Sequence, residues 1–292
     1  MKPTSFVFVS QAGKLEGMSL VLAASIRAAA GFEHELIAAV PTPASTWGRL
    51  APGTLDAYEE LQVSVQEIDN PWGRAYPIGN KFGCLCVNAR HPVLVFLDTD
   101  IVMLDLPLDS GPGIGPVAAV PASRRHHSVE QWAAIYAAAG VTMPAQETIA
   151  TAGGATGPAY FNSGVVAIEM SSGFGAAWLE IARRIDNDPA IPESARRPWL
   201  DQIALPVTAA ALGYNFPSWE KQLQMPASTT FYHYQRPNVL LRNALLFRRA
   251  STAVARFPRT ARQVRAHAEV TMLASARFYR LKRAYYRNRS RS

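Results

Sequence analysis

Short apolar runs alternate with amphipathic stretches through the first third of the chain. Phe6–Val9 is an unbroken run of strand formers that ends in Ser10-Gln11-Ala12-Gly13, a buried strand passing into a loop. Leu15–Ala30 has helical spacing and stops before Gly31, a suitable C-cap. Leu36–Val40 reads as a second strand stopped by Pro41 and Pro43, Thr54–Leu61 as a helix, and Val63–Ile68 as a third strand. Pro77–Ala89 reads as a helix opened by proline, and Val93–Leu97 as a fourth, wholly apolar strand. Strands apolar on both faces and separated by helices predict an α/β fold with a mostly parallel sheet covered on both sides.

The pattern then changes. Asp109–Pro116 and Thr151–Pro158 are rich in Gly and Pro and are expected as loops. Ser128–Ala139 and Phe174–Ile185 read as helices, Tyr160–Met170 as a strand, and Thr230–Tyr234 as a last strand. Trp199–Leu212 reads as a helix that Pro206 should shorten or kink. A basic segment starts at Arg242, so the expected organisation is one domain over residues 1–240 and a basic helical tail over residues 241–292.

Composition is that of an ordinary globule, 49% hydrophobic and 17% charged. A net charge of +7 suggests a polyanionic partner until its distribution is read. Residues 1–240 hold 15 Lys/Arg and 21 Asp/Glu, whereas residues 241–292 hold 14 Lys/Arg and one acid, Glu269. A body of charge −6 therefore carries a tail of charge +13. The tail interleaves its cations with Leu245, Phe247, Phe257, Phe278, Tyr279, Tyr285 and Tyr286, and Thr260–Arg283 has helical composition. Such a helix suits the interface of an anionic bilayer, and the acidic body disfavours nucleic acid. Met1–Ser10 lacks the apolar core of a signal peptide, and no apolar run reaches about 18 residues. The expected location is cytoplasmic, against the inner face of the membrane. Cys84 and Cys86 are too few for a disulfide scaffold or a structural zinc site and are expected to pack in the core.

The chemistry concentrates in Val93-Leu94-Val95-Phe96-Leu97-Asp98-Thr99-Asp100. In open α/β sheets ligands bind beyond the carboxyl ends of the strands. Two carboxylates there repel one another unless solvent surrounds them or a cation lies between them, and their oxygens suit Mg²⁺ or Mn²⁺. A bare Asp-x-Asp is also a common acidic turn. Ser10 and Gln11, at the end of the first strand, are candidates for contacts to a nucleotide base. Lys81, before the Asp-x-Asp strand, could reach a phosphate or the acids themselves. Asn162-Ser163-Gly164 offers an amide, a hydroxyl and an unencumbered backbone at one point, which suits a sugar or simply a β-bulge. Arg124-Arg125-His126-His127 is a lid over an acceptor or an exposed turn.

Phe96-Leu97-Asp98-Thr99-Asp100-Ile101 resembles the Asp-x-Asp motif of GT-A-fold glycosyltransferases. Tyr160-Phe161-Asn162-Ser163-Gly164-Val165, Asp201-Gln202 and Phe231-Tyr232-His233-Tyr234 follow in the order found in glycosyltransferase family 8, the glycogenin and bacterial lipooligosaccharide galactosyltransferase group. The resemblance covers about residues 5–237. It implies a Rossmann-like GT-A domain that takes a nucleotide-sugar donor, most simply UDP-linked, and a glycan or glycolipid acceptor, with retention at the anomeric carbon. It implies that Asp98, Asp100 and His233 hold the divalent ion, that Asp98 also approaches the ribose, and that an imidazole among the ligands favours Mn²⁺. It places Asn162, Ser163, Asp201 and Gln202 at the sugar or the reacting centre. The family follows its late histidine with a glycine and then Lys-Pro-Trp; here the residues are Gln235-Arg236-Pro237, with Arg236 as the substitute phosphate cation. Two other classes compete: a sugar-nucleotide nucleotidyltransferase, for which Gln11-Ala12-Gly13-Lys14 is a poor phosphate loop, and a non-catalytic membrane- or RNA-binding protein acting through the tail.

Overall fold

The computed structural model describes residues 3–105, 115–150, 152–215, 230–268 and 270. Its strands are β1 (Ser5–Val9), β2 (Glu35–Thr42), β3 (Val63–Asp69), β4 (Val93–Leu97), β5 (Ile101–Met103), β6 (Val117–Pro121), β7 (Glu147–Ile149), β8 (Thr156–Pro158), β9 (Phe161–Glu169) and β10 (Phe231–His233). The helices are α1 (Lys14–Ala30), α2 (Ala44–Trp47), α3 (Pro52–Glu60), α4 (Asn80–Cys84), α5 (Val129–Ala138) and α6 (Phe174–Asn187). They continue with α7 (Glu193–Arg196), α8 (Leu200–Ala211), α9 (Pro237–Arg242), α10 (Ala244–Ala255) and α11 (Pro258–Ala266).

The expected sheet is present, in the order β3-β2-β1-β4-β9-β6. β1 pairs in parallel with β2 and β4, and β2 with β3. β9 runs antiparallel to β4 and β6. β1 lies at the centre and is buried throughout, which is why its sequence carries no polar alternation. Its side chains divide two cores: Val7 and Val9 join Phe82, Trp178 and Leu200 on one face, while Phe6 and Phe8 join Leu20, Leu22 and Phe247 on the other. β5 and β10 form a separate two-stranded antiparallel pair just beyond the end of β4.

Several boundaries differ from expectation. β2 runs through Pro41, because β1 ends its pairing at Val9 opposite Ala39 and leaves no ladder bond there for a proline to break. The expected helix Pro77–Ala89 contracts to α4 after a 3-10 turn. Gly83 explains the close fit of that turn: a Cβ there would lie 2.9 Å from Ile68 and 3.2 Å from the Asp69 carbonyl. Cys84 is buried, but Cys86 is exposed, so core packing holds for Cys84 alone. The Gly-rich stretch expected as a loop contains β8, paired with β7. Pro206 sits inside α8 without ending it; its cost is the helical partner of the Gln202 carbonyl. α5 begins where expected, on a capping box in which Ser128 and Gln131 satisfy each other's backbone N–H groups.

Helical packing continues across the boundary expected at residue 240. α10 buries Leu246, Phe247, Ala250 and Val254, and α11 buries Ala261 and Val264, all in the core shared with α1. The Glu60 carboxylate at the end of α3 accepts from the Arg259 and Thr260 N–H groups and the Thr260 hydroxyl, so it caps α11. The basic, aromatic stretch beyond residue 270 lies outside the described residues. Among the described residues no helix is long and apolar enough to cross a membrane. Gly17 of α1 is a tight point under this segment, since a Cβ there would lie 2.5 Å from the His267 Cβ. Gly17→Ala is therefore expected to lower stability by about 1–3 kcal/mol and to expose the α11 region to limited proteolysis, measured by denaturant unfolding and digestion.

Candidate active site

β4 ends at Leu97 and delivers Asp98, Thr99 and Asp100 in a turn fixed from both sides. The Asp98 N–H donates to the Gly164 carbonyl at 2.7 Å, and the buried Thr99 hydroxyl donates to the Val9 carbonyl at 2.9 Å. Thr99 therefore points into the sheet, and Asp98 and Asp100 stand on the open side. β10 reaches the same point by pairing with β5, in a register that sets His233 opposite Ile101. The Tyr234 N–H donates to the Asp100 carbonyl at 2.9 Å and closes the arrangement.

Asp98, Asp100 and His233 thus converge, each offering one ligand atom with all three atoms within 4.8 Å of one another. His233 Nε2 lies 2.9 Å from Asp100 Oδ1 and 3.7 Å from Asp98 Oδ2. Burial pushes the Asp98 carboxyl up, and Asp100 beside it adds to the effect against the pull of Lys81 and His233. Burial also opposes charge on Asp100 and His233, but their mutual hydrogen bond and attraction outweigh it. Asp100 is held below the usual carboxylate range and His233 above its ordinary value. Gly164 makes the approach of His233 feasible: a Cβ there would lie 2.8 Å from Asn162 Oδ1 and 2.9 Å from His233 Cε1. Two carboxylates and one imidazole on half-buried, reachable side chains fit a divalent ion of the Mn²⁺ or Mg²⁺ kind.

Lys81 joins this group to a third acid. Its Nζ lies 2.9 Å from Asp98 Oδ1, 3.1 Å from Asp201 Oδ2 and 3.2 Å from the Ser163 hydroxyl. Burial opposes the charge on Lys81, yet the two carboxylates outweigh it and hold the ammonium well above its ordinary value. The Ser163 hydroxyl also donates to Asp201 Oδ2. β9, α4, α8 and the end of β4 therefore each place one polar side chain in a single buried cluster centred on the Lys81 ammonium.

The other expected residues divide. Asn162 turns its Oδ1 back to accept from the Gly164 N–H at 2.7 Å, where the β6–β9 register shifts, so the β-bulge reading describes its carbonyl oxygen. Gln202 is half-buried on the first turn of α8 beside Asp201. Gln11 Oε1 accepts from Asn80 Nδ2 at 3.1 Å, which keeps it next to the helix that bears Lys81. Ser10 is a correction: its hydroxyl lies 2.7 Å from Tyr58 Oη and 3.3 Å from Ser19 Oγ in a buried network, so its side chain faces the core instead of a nucleotide. Arg236 is exposed at the start of α9. Before it, Gln235 adopts φ 56°, the left-handed conformation that the family's glycine would take without strain.

The segment 124–127 is more than an exposed turn. Arg125 donates to the Ala155 and Pro158 carbonyls at 3.1 and 2.7 Å and so fixes the β7–β8 hairpin. His126 stacks on Trp199 with ring centroids 4.9 Å apart, beside the start of α8. Sequence reasoning missed Trp199, and also Tyr76, whose hydroxyl lies 3.0 Å from Asp201 Oδ1. Neither residue carries a motif; Trp199 is found only through its stacking on His126, and Tyr76 through its distance from Asp201.

The sheet order and the antiparallel β9 beside the Asp-x-Asp turn define the GT-A fold. The glycosyltransferase GlyE of Streptococcus pneumoniae TIGR4 is similar over 90% of this chain and 64% of its own length, at 10% identity and a TM-score of 0.50. The chain belongs to the family of the Rhodobacterales glycosyltransferase domain, whose model matches residues 6–213. This sets aside the nucleotidyltransferase and the non-catalytic binding protein. Mouse xyloside xylosyltransferase 1 is similar over 79% of this chain and 97% of its own, at 12% identity and a TM-score of 0.46. The galactosyltransferase LgtC, solved with donor and acceptor sugar analogs, is similar over 72% and 70%, at 16% identity and a TM-score of 0.41. No curated protein matches the chain by sequence.

The Gly164 contact yields a sharp test of the ligand set. If the three residues hold a divalent ion, Gly164→Ala is expected to push His233 aside and to weaken that binding by about tenfold or more, measured by calorimetric titration with Mn²⁺ as the probe.

Proposed function

We propose that this glycosyltransferase transfers a hexose from a UDP-linked donor to a hydroxyl of a glycan or glycolipid acceptor, with a divalent ion required and anomeric configuration retained. The observation that carries the reading is the convergence of Asp98, Asp100 and His233 within 4.8 Å. An ion held there, Mn²⁺ in preference to Mg²⁺ because of the imidazole, would neutralise charge developing on the diphosphate leaving group.

The chain's own residues divide the remaining work. Lys81 is a fixed, desolvated cation beside the donor phosphates, already charged and needing no reorganisation as the leaving group departs. Asp98, beyond its place at the ion, is positioned toward the ribose. Asp201 presents Oδ2 on the far side of Lys81 and supplies negative charge at the reacting centre, either as nucleophile or in support of front-face attack. Ser163 fixes that oxygen through its hydroxyl. Gln202 and the Asn162 amide nitrogen offer donors for sugar hydroxyls. Gln11, at the end of β1, stands on the side expected for the nucleotide base, and Arg236 is a cation for its phosphates after the donor enters.

The acceptor reading extends to location. Leu245, Arg248, Arg249, Thr252 and Arg256 fall on one exposed face of α10 and line a groove of about 370 Å³ against Ala28 and Ala29 of α1. Among the described residues no carboxylate lines that groove, whereas Arg259 of α11 is paired with Glu59 at 2.8 Å. A row of guanidinium groups beside exposed aliphatic surface supports attachment to an anionic bilayer at the cytoplasmic face.

Two outcomes test these proposals. With UDP-glucose and UDP-galactose as probes, hydrolysis should require Mn²⁺ and fall about 100-fold or more in Asp100→Asn. Turnover in EDTA, or full activity of the variant, would remove the metal-dependent reading. In flotation with vesicles containing phosphatidylglycerol, the Arg248→Gln, Arg249→Gln double variant should lose most binding. Flotation equal to that of the unaltered chain would remove the role of α10.

A further inference from the structure

Asp201 has two carboxylate oxygens with separate surroundings. Oδ2 faces Lys81 and Ser163, and Oδ1 faces Tyr76 Oη at 3.0 Å. Tyr76 is buried, and its single hydroxyl proton has two acceptors in reach, Asp201 Oδ1 and the Pro198 carbonyl at 2.9 Å. The charged acceptor makes the stronger bond. The same hydroxyl oxygen lies 3.2 Å from the Asp201 N–H and accepts from it, so one phenol grips both the backbone and the side chain of this residue.

A second set of contacts, remote from the donor side, holds the phenol. The Arg197 guanidinium sits over the Tyr76 ring, 4.0 Å from its centroid. Arg197 is fixed in turn by Asp186 of α6, with Nε to Oδ1 at 3.1 Å and Nη2 to Oδ2 at 2.6 Å. Trp72 donates its Nε1–H to the same Asp186 oxygen at 2.7 Å and meets Tyr76 edge-on at 5.9 Å. The contacts form a closed ring: Trp72 to Asp186, Asp186 to Arg197, Arg197 to the Tyr76 face, and Tyr76 back to Trp72. A planar, bidentate ion pair is a rigid element, so the ring position has little freedom to drift.

We propose that Tyr76 is a positioning residue for the Asp201 carboxylate, clamped from behind by the Arg197–Asp186 ion pair, so that Oδ2 stays turned toward Lys81, Ser163 and the donor. Tyr76 remains a phenol under all ordinary conditions, since burial and then the Asp201 charge push it far up, and its hydroxyl always has a proton to give. A displacement of about 1 Å at a reacting group can cost rate far more than binding, and the clamp restricts that displacement. This inference rests on the reading of Asp201 as the carboxylate at the reacting centre.

The experiment uses the full chain, UDP-glucose and UDP-galactose with Mn²⁺, and the variants Arg197→Gln, Tyr76→Phe and Asp201→Asn. Arg197→Gln touches neither donor nor Asp201, yet it is expected to lower kcat by about tenfold while the donor KM stays within about threefold. Tyr76→Phe should do the same. In an Asp201→Asn background neither substitution should lower the rate further, because both act through that carboxylate. A kcat within about twofold for both variants, or equal losses with and without Asp201, would overturn the proposal. If Asp201→Asn keeps the full rate, or no turnover is seen with either donor, the catalytic reading of Asp201 is not the arbiter. A crystal structure of Tyr76→Phe then decides: a carboxylate still seated on Lys81 and Ser163 overturns the clamp, and one turned away from them upholds it.

Discussion

The site depends on one half-buried cation, Lys81. Lys81 sits between Asp98 and Asp201, which lie about a hundred residues apart in the chain and would otherwise share a poorly hydrated space as like charges. Desolvating an ammonium is costly, and two carboxylates offset it only if the geometry is good and spare donors are satisfied. Here the third Lys81 contact is the Ser163 hydroxyl, which itself bonds Asp201. The cluster is best understood as a preorganised electrostatic device and not as a source of stability. The charges are not sealed off from solvent: Lys81, Asp98, Asp100 and His233 all remain partly exposed.

Everything around the cluster restricts where those charges can go. β4 must end at Leu97 for both acids to emerge on one side, and the Val9 and Gly164 carbonyls hold the turn from neighbouring strands. The antiparallel β9 brings Ser163 and Gly164 alongside that turn, which a parallel neighbour would not do in the same register. Gly164 then has two duties: its carbonyl receives the Asp98 N–H, and its missing side chain leaves the space that His233 occupies.

Much of this was legible from residues alone. The apolar runs marked β1, β2 and β4 because strands buried on both faces leave no polar alternation to misread, and the resemblance to family 8 glycosyltransferases marked Asp98, Asp100, Ser163, Asp201 and His233 by their order. Lys81 could be suspected but not paired, since nothing in sequence ties residue 81 to residue 201. Ser10 was misplaced because strand position does not tell which side of the chain end a side chain takes; the Tyr58 hydroxyl, 48 positions away, decides it. Tyr76, Arg197 and Asp186 were invisible for the same reason: each is an ordinary residue whose role exists only in the contacts.

The C-terminal segment shows where division by charge and division by packing part ways. Charge separates an acidic body from a basic tail near residue 240, yet β10 has only three residues and, among the described residues, a single partner strand. So short a strand needs support from the helices on its C-terminal side. Phe231, Tyr234 and Leu240 are buried in the same core as Leu246, Phe247 and Val254 of α10, and Arg256 ties that helix to the Ala28 carbonyl of α1. The helices that carry the basic surface therefore also anchor the strand that carries His233. Cutting the chain at residue 240 would remove the proposed membrane surface and the support of the proposed metal ligand together. Substitution of Arg248 and Arg249, exposed on the outer face of α10, leaves that support intact and separates the two roles.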